Sequence, residues 1–300
     1  MAERGINKEQ DKRWEAIGMI VKPFVVYYVI DFITALLLTS LVSAFVRAVG
    51  GEWEKGFTEQ KATVSAVIGG LAMASGILPL FSTFRYEIQK ENNRCNEKEI
   101  VRKEQNDCYE TIVILKKFLL TILLAFTCSI AVNILFLMFH LTESSETYVR
   151  VAEHQYGVMF PAGLFLYGIV SPFAEEVVFR GIIYNRMKRL CGTFSDENHS
   201  SYIAPLILSS LLFGVYHGNI VQMLYGFLMG MLIAYVYEAC GRFGYAFLFH
   251  AAANVVIYVI TGNPSLYERF MTPRTGLVFA VIAAMLLSLL SRSWPFRSSR

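Results

Sequence analysis

Residues 155–184 read QYGVMFPAGLFLYGIVSPFAEEVVFRGIIY. A helix of about 20 mostly apolar residues spans the hydrocarbon of a bilayer, and this run is long enough. Yet it carries Glu175, Glu176 and Arg180. Each charge inside a span costs on the order of 2.5–3.5 kcal/mol on insertion scales, so such residues mark function or pairing. Glu176 and Arg180 are four apart and share a helical face, where they can neutralise each other. Glu175 is rotated from Glu176 by roughly 100° and has no local cation. One glutamate is committed to a pair; the other is free for chemistry.

The rest of the chain has the same character. Of 300 residues, 55% are hydrophobic, 14% aromatic and only 17% charged, against roughly 25% charged in a soluble domain, and mean hydropathy is +0.45. This excludes disorder, collagen and a disulfide-rich secreted scaffold. A net charge of +3, with no basic block interleaved with aromatics, excludes a nucleic-acid partner. The five cysteines form no CxxC pair and are expected to be reduced.

Runs free of charge, or nearly so, predict eight spans: 24–45, 62–84, 118–141, 155–184, 202–216, 220–237, 243–260 and 276–290. The fifth and eighth are shorter than a comfortable crossing, and Pro172 is expected to break the fourth. The expected fold is an all-α polytopic membrane protein with about eight transmembrane helices and a four-helix catalytic core. Of 27 Lys and Arg, 20 fall in the segments on the side of the N-terminus and six on the other. This bias predicts both termini in the cytoplasm; the first apolar run does not read as a cleavable signal peptide, and the expected membrane is a bacterial plasma membrane. Three regions are expected: residues 1–150, with a tail, three spans and a charged cytoplasmic loop; a core over 151–265; and a last span with a cytoplasmic end over 266–300.

Two later spans supply partners for the free glutamate. Phe213 and His217 are four apart, as are His250 and Asn254, so each pair shares a helical face. A Glu, two His and an Asn on three spans are the parts needed to activate a water, with Glu as base and His or Asn donating to a developing oxyanion. Gly226 and Gly230 form a small-xxx-small packing face. Asp31, Asn133 and Gln222 are isolated polar residues within spans, expected to be structural.

Glu175-Glu176-xxx-Arg180, Phe213-xxx-His217 and His250-xxx-Asn254, in that order over roughly residues 155–262, resemble the CPBP (CAAX protease and bacteriocin-processing, Abi) family of intramembrane proteases. The resemblance implies endoproteolysis at or within the bilayer. Glu175 would be the base, His217 its partner in holding water, and His250 and Asn254 the oxyanion donors. Glu176 and Arg180, with Phe213, would support the site. The implied substrate is a membrane-associated peptide or protein, either prenylated or related to bacteriocins or peptide pheromones. The family is usually labelled metalloprotease. Glu175, His217 and His250 could form a three-ligand zinc site, but there is no His-Glu-xx-His, and metal-free activation is preferred.

Two other functions fit a polytopic chain: a non-enzymatic membrane scaffold or regulator, and a proton-coupled transporter. A scaffold has no need of four costly polar groups, and the Gly/Pro-interrupted spans of a transporter do not recur in the two halves. One geometric conflict stands. Counted from the basic ends of their spans, Glu175 and His250 lie at ~15 and ~12 Å, whereas His217 lies ~22 Å above Tyr202.

Overall fold

Backbone groups in hydrocarbon must be satisfied within their own segment, and helix does this for a single span. The computed structural model describes residues 2–100, 107–194 and 202–292, with side chains over 14–94, 111–191 and 202–291. These residues form helices and no strand. In chain order the helices are α1 (Ala2–Val49), α2 (Gly51–Glu59), α3 (Lys61–Ile77), α4 (Phe81–Ile100), α5 (Asp107–Met138), α6 (Glu146–Tyr156) and α7 (Phe160–Phe165). They continue with α8 (Ser171–Glu176), α9 (Asn185–Phe194), α10 (Ile203–Tyr216), α11 (Ile220–Cys240), α12 (Phe243–Thr261), α13 (Pro264–Phe270) and α14 (Pro273–Arg292).

Among the described residues, seven helical stretches are long and apolar enough to cross a membrane, and Ile203–Tyr216 is a shorter apolar helix. The chain is an all-α integral membrane protein. Phe32, Leu36, Leu37 and Leu41 on α1 are exposed, a surface suited to lipid and not to water. The expected eighth span is a full 20-residue helix, α14. The second runs on through a single 3₁₀ turn at Leu78–Leu80 into α4, so the charged segment after residue 84 begins as helix.

The fourth span differs most from expectation. Pro172 does not break it. Helix continues from Phe160 to Cys191, with π-helical stretches at Leu166–Val170 and Val177–Tyr184. A π-turn spaces its hydrogen bonds five residues apart. Residue 172 would then serve the carbonyl of Tyr167, but proline has no N–H to give. The wide turn absorbs the proline and leaves that carbonyl to a neighbour.

The core lies around this helix, with Phe179, Ile182, Ile183, Phe213, Ile233 and Phe249 all buried. Helix α11 runs parallel to it, as successive contacts show: Arg180 with the Gly230 carbonyl, Asn185 with Tyr237, and Lys188 with Glu238. At the basic end, Glu87 pairs with Arg186 at 2.8 Å and Arg189 at 2.5 Å. Lys188 pairs with Glu91 at 3.0 Å and also with Glu238. Cys128 and Cys240 are buried free thiols, and Cys191 is partly exposed; the side chains of the other two cysteines lie outside the described residues.

Candidate active site

Glu175 and Glu176 leave the fourth span in different directions, as their 100° offset requires, and both are buried, at 4% and 0% exposure. Arg180 is also fully buried. Its Nη1 donates to Glu176 Oε1 at 2.9 Å and its Nη2 to the Gly230 carbonyl at 2.8 Å. Its guanidinium also stands 4.7 Å from the centre of the Phe213 ring. The pair expected from spacing is present, and it ties the fourth span to α10 and α11.

Glu176 does more than hold Arg180. His250 Nδ1 donates to the same Oε1 at 2.8 Å, so this carboxylate orients the imidazole of α12. The spacing within the fourth span gave no sign of this bond, which crosses 74 residues. With Nδ1 engaged, His250 turns Nε2 to Glu175, 3.7 Å from Oε2. Glu175 Oε1 accepts a 2.6 Å hydrogen bond from Ser171. Sequence reasoning missed Ser171, although its position four residues before Glu175 was visible. Among the described residues Glu175 has no direct Lys or Arg ion pair.

His217 follows the last residue of α10. Its Nδ1 donates to the Phe213 carbonyl at 2.8 Å, which leaves Nε2 of the neutral ring as an acceptor. The Phe213 ring makes edge contacts with both imidazoles, with centroid separations of 5.0 Å to His217 and 5.6 Å to His250.

The conflict of depths resolves in α10 itself. This helix has 14 residues, about 21 Å, and does not span ~30 Å of hydrocarbon. An added Cβ at Gly226 would lie 3.3 Å from the His217 ring, and Gly226 precedes Gly230 by one turn. Since Gly230 is level with Arg180, His217 stands near the height of Glu176. Glycines allow the approach: a Cβ on Gly214 would sit 2.4 Å from the Met223 carbonyl. Gly218, at φ +75°, then makes the left-handed turn into α11 that a larger residue would resist. Asn219 caps α11 by accepting from the Gln222 backbone N–H at 2.9 Å, and its amide donates to the Gln222 side-chain oxygen.

Asn254 Nδ2 donates to the Tyr167 carbonyl at 3.0 Å, the acceptor that Pro172 leaves open. One amide hydrogen is thereby used between helices, and the second remains available. Asn133 bonds Tyr225 at 3.0 Å, joining α5 to α11. The structure thus brings Glu175, Glu176, Arg180, Phe213, His217 and His250 together, with Asn254 one turn from His250.

Glu175, His217 and His250 are the residues that a zinc ion would draw on. Among the described residues no three His, Cys, Asp or Glu groups come together as a metal site requires. His250 Nδ1 and His217 Nδ1 are both engaged, by Glu176 and by the Phe213 carbonyl, which leaves the Nε2 atoms open to a ligand, as in metal-bound imidazoles.

Residues 157–256 match the family described as Type II CAAX prenyl endopeptidase Rce1-like. A Bacillus subtilis (strain 168) protein named "Putative membrane peptidase YdiL" is 26% identical over 139 residues, 46% of this chain and 52% of the relative. The chain therefore spans about half the length of the curated relative it matches. No solved structure matches it significantly. All three motifs fall inside the matched segment, and over residues 157–256 the chain is similar to the CAAX-type membrane peptidases of the CPBP family.

Proposed function

We propose that the protein is an intramembrane endopeptidase that hydrolyses a peptide bond of a membrane-associated peptide or protein with a Glu175-activated water. The observation that carries this is the asymmetry of the two glutamates: Glu176 is bound by Arg180 and His250, whereas among the described residues Glu175 has a hydrogen bond from Ser171 and a more distant His250 Nε2. Glu175 takes a proton from water while His217 Nε2 accepts from the same water and orients it. The water oxygen attacks the scissile carbonyl carbon. The proton held by Glu175 passes to the departing amine.

His250, held by Glu176, donates from Nε2 when its ring carries both protons. Asn254 offers its second amide hydrogen. Together they stabilise the tetrahedral oxyanion. No step is routed through a metal, and the substrate is either prenylated or an unprenylated bacteriocin-like or pheromone-like peptide. Both termini are proposed to be cytoplasmic.

The test uses the full chain in lipid vesicles with two quenched fluorescent probes, a peptide ending in a prenylated cysteine motif and an unprenylated transmembrane peptide. Cleavage of one probe by wild type and of neither by Glu175→Gln is expected. Full activity in Glu175→Gln overturns the proposal. Elemental analysis of active, chelator-treated protein is expected to find no stoichiometric zinc; one zinc per chain, lost with activity in His250→Ala, would reverse the metal-free assignment.

A further inference from the structure

A serine or threonine within a membrane helix commonly returns its hydroxyl to the carbonyl three or four residues back. Ser75 does so with Leu71 at 2.9 Å, Thr121 with Lys117 at 2.8 Å, Thr127 with Leu123 at 2.9 Å and Ser210 with Leu206 at 2.6 Å. Ser171 does not. Its hydroxyl runs forward and donates to Glu175 Oε1 at 2.6 Å.

The π-turn accounts for the exception. The backbone N–H of Ser171 serves the carbonyl of Leu166, five residues back, and Pro172 has no N–H to give. The Tyr167 carbonyl, four residues before Ser171, would take its hydroxyl in a regular α-helix. Here Asn254 Nδ2 donates to that carbonyl at 3.0 Å. Regular helix resumes at Ser171, which sets the Glu175 side chain one turn on and within its reach. A serine hydroxyl has a single proton to donate, and this one goes to the proposed base.

The contact also decides how the carboxylate stands. Its length lies in the range of an O–H donating to an ionised carboxylate. The last torsion of a glutamate side chain is broad and poorly fixed by itself, and a donor on one oxygen fixes it. With Oε1 held by Ser171, Oε2 is the oxygen on the side of His250 Nε2, at 3.7 Å.

We propose that Ser171 is a positioning residue, its hydroxyl holding the Glu175 carboxylate so that Oε2 is the oxygen presented to water. The π-turn then serves both halves of the site: it frees Ser171 for the base and gives Asn254 its anchor on Tyr167. This rests on Glu175 acting as base.

The test uses the full-length protein and whichever of the two probes wild type cleaves. Ser171→Ala is expected to lower kcat about 10-fold, the size of one lost hydrogen bond to a charged group, with KM within about twofold of wild type. No charge is orphaned, so Tm should fall less than in Glu176→Gln. Ser171→Thr keeps the O–H and should keep kcat. Ser75→Ala, whose hydroxyl serves only a backbone carbonyl, should leave kcat unchanged. A second measurement needs no substrate. In each background, the infrared difference against the same protein carrying Glu175→Gln isolates the Glu175 carboxylate band, which should shift in Ser171→Ala and return in Ser171→Thr. Wild-type kcat in Ser171→Ala overturns the proposal, and so does a lowered kcat with the band unmoved, which would mark a merely structural loss. A Ser171→Thr variant that keeps the wild-type band but loses kcat overturns it too, because the hydrogen bond would be present without the rate. If Glu175→Gln itself cleaves normally, it is the peptidase proposal that falls, and the band alone decides whether Ser171 holds the carboxylate.

Discussion

Two clusters of buried charge sit on the same helix, ~18 Å apart, and they are built differently. At the basic end Glu87 has Arg186 and Arg189, Glu91 has Arg94 and Lys188, and Glu238 has Lys188. Every one of these carboxylates meets a Lys or Arg. At the candidate site only Glu176 has one, Arg180, and Glu175 is left with a hydroxyl and an imidazole. Where charges are matched, the cluster serves to hold helices together. A carboxylate kept in a dry site without a matching cation remains able to take a proton. Burial alone does not separate the two cases; the partner set does.

Substitutions can break this contrast. The largest effect is expected for Glu175→Gln, which should lower cleavage by about 10²–10⁴-fold, the range for a removed general base. Its Tm should be unchanged, because no Lys or Arg is orphaned. A drop in Tm as large as that of Glu176→Gln would place Glu175 with the structural charges.

Next in size is the Glu176–Arg180 pair. Breaking a buried pair from one side costs about 3–5 kcal/mol, so Glu176→Gln and Arg180→Met should each melt markedly earlier. The double variant should recover stability but not activity, since His250 Nδ1 would lack its carboxylate. Recovery of cleavage in the double variant would show that orientation of His250 by Glu176 is dispensable.

Gly214→Ala comes third. The new Cβ would meet the Met223 backbone carbonyl, which cannot swing aside, so α10 must move and His217 with it. A shift of ~1 Å can cost about 10²-fold in rate. Kinetics and melting measured together check this: activity should fall much further than Tm.

The smallest effect is expected at the other cluster. Glu238→Gln removes one partner of Lys188 while Glu91 remains, for a loss of about 1.5–3 kcal/mol in denaturant unfolding and no change in kcat. A kcat change there would mean that the two clusters communicate along the helix.

Much of this was legible from residue spacing. The membrane class follows from composition, and the Glu176–Arg180 pair from a four-residue offset that any helix turns into proximity. The pairing of Phe213 with His217 follows from the same rule. The height of His217 did not, because the count began at a presumed membrane boundary, whereas α10 is too short to start there. Its position comes from glycines on two helices, Gly214 and Gly226, that permit backbones to approach. Pro172 was legible as a helix breaker but not as a π-turn, since the neighbour that donates to the freed carbonyl, Asn254, is far along the chain.

The sequence by itself determined which residues are costly to bury and which share a helical face, because hydrophobicity and helical periodicity are local properties. It therefore determined the helical membrane fold and the identity of the polar groups. Only the tertiary structure decided which of those groups meet: Glu176 with His250, Asn254 with Tyr167, and Tyr27 with Tyr216. These contacts join separate helices, and their geometry is set by where small residues let helices close and where rings hold them apart. No local rule contains that information.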